Sequence, residues 1–106
     1  MYGGKMGDTD IPKDTDEIFM DELKQEFMET VAVNLKDMAE LYREGKFEEI
    51  AKIAHDIKGT SGIFGLDKGT DIAKQLQYAA QDKKAEETKE LLDQLTQYMK
   101  ENQIID

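Results

Sequence analysis

The first periodic segment of the chain has apolar residues at alternating steps of three and four positions. This spacing gives an α-helix one continuous apolar face, with which it packs against other helices. Asp14 followed by Glu17 has the spacing of a capping box, so we expect the helix to begin there. Gly45 is expected to end it. The apolar face comprises Leu23, Phe27, Val31, Leu35, Met38 and Leu41, with Asn34 and Tyr42 beside it.

Two features near the start of the chain affect the domain boundary. Residues 1–13 contain three glycines and the only proline and show no apolar period, so we expect a flexible lead-in there. Residues 14–106 are expected to form a single domain, because a chain of this length has room for one modest core. Residues 28–33 are apolar on more than one side, which indicates either a break between two helices or burial on two faces.

Three further segments show helical periodicity. The second runs from about Lys46 to Gly65, the third follows Asp67, which is expected to cap it, and the fourth follows residues 82–84. No segment alternates with period two, so strands are not expected. Four amphipathic helices with short connections predict an all-α fold, an antiparallel up-down-up-down four-helix bundle. The predicted core positions are Ile53, Ala54, Ile57, Ile72, Ala73, Leu76, Ala79, Ala80, Thr88, Leu91, Leu92, Leu95, Tyr98 and Met99, with Ile104 and Ile105 over the bundle end.

Charge and composition argue against several classes of function. The 106 residues carry a formal net charge of -10, whereas nucleic-acid and anionic-membrane binding need a basic face. The chain has no cysteine, so neither a disulfide nor a thiolate metal site can form. No apolar run approaches the roughly 20 residues that cross a bilayer, and the first residues lack the hydrophobic region of a signal peptide. We therefore expect a cytoplasmic protein.

The only histidine, His55, lies in the middle of the second predicted helix. At about 100° per residue it points roughly 140° to 150° away from the apolar stripe of that helix, which places it on the surface. Gly59 and Gly62 fall on the same side and leave the surface beside the imidazole without side chains. Each glycine in a helix interior costs about 0.5 to 1 kcal/mol relative to alanine. Two of them here indicate that another molecule must approach closely.

Two lysines lie three residues on either side of His55, Lys52 before it and Lys58 after it. Both are near enough to lend positive charge to an anion held on the ring. We interpret Lys52 as a plain solvated charge rather than a phosphate partner. Gly65 is interpreted as a helix C-cap and not as part of a site. Ile63 falls nearer the histidine side than the core, so a docking contact and a core residue both remain open for it.

The segment around the histidine resembles the signature of histidine phosphotransfer (HPt) domains. In that signature the histidine is followed by an apolar residue two positions on, then by a lysine, a glycine and a small residue. The matching residues are His55, Ile57, Lys58, Gly59, Thr60 and Ser61, with Gly65 and Leu66 as the usual closing pair. The resemblance covers residues 16–102, mostly as pattern rather than identity. Members of this family often have a short extra N-terminal helix before the bundle.

The resemblance implies that the protein carries a phosphoryl group. His55 would accept it from the aspartyl phosphate of a receiver domain, or from a histidine kinase, and pass it to a response regulator. A neutral imidazole is a competent nucleophile near pH 7, because the reference pKa of histidine is about 6.5. Lys58 would stabilise charge and Gly59 would give access. The chain has no Gly-rich phosphate loop or kinase motif, so we expect a carrier and not an enzyme.

The resemblance also implies the partners. These are receiver domains of response regulators and a sensor histidine kinase, and the carrier is expected to be a monomer. Mg²⁺ is expected on the receiver domain, and no cofactor or metal on this chain.

A second contact to the imidazole is predicted by counting. His55 lies ten residues before Gly65 and Gln77 lies twelve after it, so both lie at a similar height in an antiparallel helix pair. In some HPt domains a glutamine at the matching place binds the imidazole. Gln77 would then fix the orientation and the tautomer of the ring. Gln75 and Tyr78 are close enough in sequence to compete for this role.

Two other classes of function are alternatives. A helical-bundle adaptor would bind receiver or kinase domains without phosphorylation, but the intact His55 and Lys58 argue against it. A metal-dependent hydrolase would need a cluster of ligands, whereas the 24 acidic residues are spread over all solvent faces beside a single histidine. The pairs Glu48-Glu49 and Glu86-Glu87 are therefore interpreted as solvated surface.

Overall fold

The structure, a computed structural model, describes residues 13–106 of the chain and the side chains from residue 19 onward. This part of the chain is all-helical and contains no strand. Its helices are α1 (Lys13–Arg43), α2 (Phe47–Ile63), α3 (Asp67–Gln81) and α4 (Ala85–Glu101). None of these four helices is long and apolar enough to cross a membrane.

The four helices close around a common core. α2 packs against α1 and α3, and α4 packs against α3 and α1, so every helix has two neighbours. Their apolar faces meet in the interior, as the helical period predicts. Ile104, beyond the end of α4, is also buried against this core. The largest fully buried apolar side chains are Val31, Met38, Ile50, Ile57, Leu76, Leu95 and Met99.

The first helix is longer than the other three. It spans 31 residues without interruption, so the alternative of a helix break within residues 28–33 is wrong. Burial on two faces is wrong as well, because Val33 is exposed while Val31 is buried. Its buried residues fall between Phe27 and Met38, and none of residues 19–26 is buried, so this part of α1 extends past the core. Lys13 is already helical, one residue ahead of the predicted start at Asp14. The rest of the predicted lead-in lies outside the described residues, as would a short extra N-terminal helix ahead of Lys13.

The second residue after each helix has a positive φ. After α2 this residue is Gly65, with φ 71°. Its N–H donates to the carbonyl of Gly62, and the N–H of Leu66 donates to the carbonyl of Ser61. The two hydrogen bonds satisfy carbonyls at the end of the helix, which is why glycine is favoured at this position. The corresponding residues after α1, α3 and α4 are Gly45, Lys83 and Gln103.

The start of α3 differs from the prediction. Its N-cap is Leu66, which makes no side-chain cap hydrogen bond, and Asp67 is the first helical residue. The prediction that Asp67 caps the helix is therefore wrong by one position. Its carboxylate lies in the first turn, where a negative charge is stabilised by the positive end of the helix. The N-caps of α2 and α4, Lys46 and Lys84, also make no side-chain cap hydrogen bond.

Two aromatic pairs fix the ends of α2. At its start Phe47 meets Tyr42 edge to face, with ring centroids 6.0 Å apart. Just past its end Phe64 stacks on Phe27 of α1, with centroids 4.8 Å apart. Such pairs contribute about 0.5 to 1.5 kcal/mol beyond their buried area. α2 is thus anchored at both of its ends by aromatic contacts.

Candidate functional site

His55 lies in the middle of α2, and its side chain is exposed. The neighbouring residues on the opposite face of the helix, Ala54 and Ile57, have no exposed surface. Because packing fixes that face in the core, the backbone that carries the imidazole is held in place. The surface position that the helical period predicts for His55 is confirmed.

A surface cavity of about 670 Å³ between α2 and α3 contains His55. The α2 residues that line it run from Glu48 to Asp56, so the cavity lies mainly on the N-terminal side of His55 and not on the side of Gly59. This agrees with the general lean of helical side chains towards the N-terminus of their helix. Its lining comprises Glu48, Ala51, Lys52, His55, Asp56, Gln77 and Gln81.

Gln77 reaches the cavity of His55 from α3. Its Oε1 atom is buried and has no hydrogen-bond partner among the described residues. The two residues that compete with it in sequence lie elsewhere. Gln75 donates from Nε2 to Oδ2 of Asp71 at 2.9 Å, and Tyr78 is not in the lining of the cavity. Of the three candidates, Gln77 is the one that the fold brings to His55.

Lys58 and Gly59 lie on the other side of His55, towards the end of α2. Lys58 is half-buried and Gly59 is exposed, and neither lines the cavity. A Cβ atom built on Gly59 would have no atom within 4 Å outside its own stretch of helix. The φ of Gly59 is not positive, so the backbone does not require glycine either. Neither packing nor backbone conformation in the described residues therefore requires glycine at this position.

Two hydroxyl residues, Thr60 and Ser61, follow the glycine. The hydroxyl oxygen of each is less available to another protein than the imidazole of His55. Oγ1 of Thr60 donates to the carbonyl oxygen of Asp56 at 3.0 Å. Ser61 has no exposed surface. Hydroxyl groups that are bound to backbone or buried are poor acceptors for a group brought by another protein. The ring of His55, by contrast, is exposed.

Two residues that precede His55 share its cavity. Lys52, which is expected to be a plain solvated charge, is exposed and lines the cavity together with Glu48. The lean of helical side chains towards the N-terminus is a signal that finds both residues, three and seven positions before the histidine. For Ile63 the core interpretation is wrong, because its side chain is 70% exposed. Among the described residues, no three or more His, Asp and Glu side chains are grouped so that they could hold a metal ion.

The part of the chain that the structure describes is a helical bundle with one exposed histidine, His55, in the middle of a helix that is anchored in the core. The family model of the Hpt domain matches residues 22–103, which is well over half of the chain and includes every site residue named above. The chain therefore belongs to the Hpt domain family, whose members carry phosphoryl groups in phosphorelays. A search of curated proteins and a search of solved structures gave no significant match.

Proposed function

We propose that this protein is the histidine phosphotransfer carrier of a two-component phosphorelay. His55 takes the phosphoryl group from the aspartyl phosphate of a receiver domain, or from a histidine kinase, and passes it to a response regulator. The observation that supports this most directly is the position of His55. It is the only histidine of the chain, it is exposed in the middle of α2, and it lies within the segment that matches the Hpt family.

Transfer to His55 exchanges one bond to phosphorus for another. The lone pair of one ring nitrogen forms the N–P bond while the P–O bond to the partner's aspartate breaks, and the electron pair of that bond leaves with the carboxylate. The proton on the second ring nitrogen stays in place. Transfer onward follows the reverse course, with an aspartate of the response regulator as acceptor. Because the reaction depends mainly on in-line positioning and charge neutralisation, a rigidly held and accessible imidazole is the main requirement for a carrier.

The role that we assign to Gln77 is to orient the imidazole ring of His55. The connections between helices are three residues long, at 44–46, 64–66 and 82–84, which favours an antiparallel course for consecutive helices. In that arrangement α3 returns beside α2 and carries Gln77 to the height of His55. Oε1 of Gln77 then accepts a hydrogen bond from the N–H of the ring nitrogen that does not react. This contact selects the tautomer in which the reacting nitrogen has a free lone pair.

The roles that we assign to Lys58 and Gly59 concern the approach of the partner protein: Lys58 stabilises charge and Gly59 gives access. Lys58 lies three residues after His55 on the helix, within reach of a phosphoryl group that approaches from the C-terminal side. Its ammonium offsets negative charge that builds up on the transferred group. Gly59 lets the partner's backbone and aspartyl phosphate come close to the ring. The open space around its missing Cβ supports this role, since packing of the described residues does not explain the glycine.

The partners are receiver domains and a sensor histidine kinase, and the carrier acts as a monomer in the cytoplasm. Mg²⁺ belongs to the receiver domain in this proposal. The carrier has no kinase activity of its own and depends on a partner for its phosphoryl group.

Incubation with a panel of receiver domains, each carrying a radiolabelled aspartyl phosphate, tests the proposal. We expect label to move to the carrier from at least one receiver domain and to return when unlabelled receiver is added in excess. A complex with a receiver domain that forms without any transfer would favour the alternative, a phosphorylation-independent adaptor. Complete absence of both transfer and binding over a broad panel would contradict the proposed function.

A further inference from the structure

Lys52 lies where two surface cavities meet. It lines the cavity of His55, and it also lines a second cavity of about 410 Å³ between α1 and α2. It is the only lysine or arginine in either lining. The acidic residues of the second cavity are Asp37, Glu40, Glu44 and Glu49.

The cavity of His55 is otherwise unfavourable for a phosphoryl group. Besides the imidazole it contains the carboxylates of Glu48 and Asp56 and the uncharged residues Ala51, Gln77 and Gln81. A phosphoryl group adds one to two negative charges at pH 7. Without Lys52, every charged side chain in both linings except a protonated imidazole would repel it. The ammonium of Lys52 is thus the one permanent positive charge in these two linings.

The side chain of Lys52 is available for such a contact. The ion pairs within residues 19–106 are Lys46 with Glu44 and Lys89 with Asp93, so Lys52 is not held by a carboxylate in that part of the chain. It is exposed, whereas Lys58 is half-buried and outside the cavity. Lys52 lies one turn before His55 on α2, the direction in which helical side chains lean.

We propose that Lys52 is the phosphoryl-binding cation of the His55 cavity. Its ammonium contacts a phosphoryl oxygen as the N–P bond forms and remains beside the phosphoryl group afterwards. The inference rests on the proposed function, because it assigns a further residue to the same reaction. Lys52 then neutralises charge from the N-terminal side of the ring, opposite to Lys58.

A small phosphoryl donor separates this contact from docking of a partner protein. Phosphoramidate is such a donor: the ring nitrogen forms the N–P bond, the P–N bond of the donor breaks, and ammonia leaves with its electron pair. We expect Lys52→Ala to slow labelling of His55 about threefold, as a unit charge some 6 Å away in water predicts. Lys52→Glu should slow it about tenfold, and Lys52→Arg should stay within about twofold of the native rate.

The matched control is Lys100→Ala, which removes the same charge from α4, a helix that does not contact α2. Its labelling rate should equal that of the native protein. A second readout is the pKa of the phosphorylated imidazole, followed by ³¹P chemical shift, which Lys52→Ala should raise by about half a unit through loss of a nearby positive charge. Loss of packing alone would not produce that shift.

The outcomes distinguish the two proposals. If the native protein gives the phosphohistidine resonance and the Lys52 variants match it in rate and in pKa, the assignment of Lys52 is wrong and the proposed function stands. Equal slowing by Lys100→Ala would also overturn it, because the effect would then come from net charge. If the native protein forms no phosphohistidine with phosphoramidate or with any receiver domain, the proposed function itself fails.

Discussion

Gln77 and His55 line one cavity from two helices, and Oε1 of Gln77 is buried there without a hydrogen-bond partner among the described residues. A buried acceptor that stays unpaired costs stability, so a hydrogen-bond donor is expected near this atom. In the proposed function that donor is the N–H of the imidazole of His55.

Gln77→Leu tests this role. Removal of an unsatisfied polar atom should leave the free energy of unfolding unchanged or raise it by up to about 1 kcal/mol. The rate of phosphotransfer should fall about fivefold to tenfold, since the ring loses one oriented hydrogen bond. The tautomer ratio of the ring, read from ¹⁵N chemical shifts of its two nitrogens, should change as well. The control Gln75→Leu, which breaks the contact to Asp71 instead, should alter neither the transfer rate nor the tautomer ratio. An unchanged tautomer ratio in Gln77→Leu would refute the role of Gln77 in orienting the ring.

Gly59→Ala separates access from stability. By helix propensity it should stabilise the protein by about 0.5 to 1 kcal/mol, because no atom stands within 4 Å of the new Cβ outside its own stretch of helix. Phosphotransfer should nevertheless slow, and Gly59→Leu should slow it steeply, because that side chain leans back over the imidazole. Thermal melts and transfer kinetics on the same two variants check this. A stable Gly59→Leu protein with full activity would contradict the access argument.

Gly69 supplies a control in which a glycine does serve packing. A Cβ atom built there lies 2.8 Å from Cε2 of Tyr98, so the ring must shift when alanine is introduced. We expect Gly69→Ala to lower the free energy of unfolding by about 1 kcal/mol, since overpacking outweighs the gain in helix propensity. Below its melting temperature this variant should transfer phosphoryl groups at the native rate. The two substitutions should thus change stability in opposite directions, and only Gly59→Ala should slow phosphotransfer.

Lys58→Ala should slow transfer in both directions with at most about 1 kcal/mol of change in stability, because surface charges contribute little to folding. The loss should be smaller in high salt, where interactions between exposed charges are screened. Forward and reverse rates at two ionic strengths are the measurement. Rates equal to those of the native protein at both strengths would make Lys58 an ordinary surface lysine.

Much of the fold is predictable because the apolar period is strong and glycine marks two helix ends. Gly45 and Gly65 adopt the positive φ that a helix end favours, and both were predicted as stops. Lys83 and Gln103 adopt the same conformation without any sequence signal, since their side chains have no preference for it. The fourth helix was still predicted, because its apolar period begins again after that turn.

The site was less predictable than the fold. Helix periodicity places His55 on the surface, but it treats positions before and after the histidine as equivalent. The lean of helical side chains towards the N-terminus removes that equivalence, and Lys52 shares the cavity of His55. The height of Gln77 relative to His55 depends on how α3 packs against α2, so the periodicity of a single helix does not predict it. The unbroken course of α1 through residues 28–33 was undecidable from sequence, since an apolar run fits a helix break as well as burial on two faces.

The central claim is that His55 carries the phosphoryl group, and mapping the labelled residue in native protein and in His55→Gln tests it most directly. Since the side chain is exposed, the variant should keep the melting temperature of the native protein. After labelling by phosphoramidate or by a phosphorylated receiver domain, the native protein should carry an acid-labile, base-stable adduct on the peptide that contains His55, and the variant should carry none. Label that persists in His55→Gln, or an acid-stable ester on Thr60 or Ser61, would contradict the account.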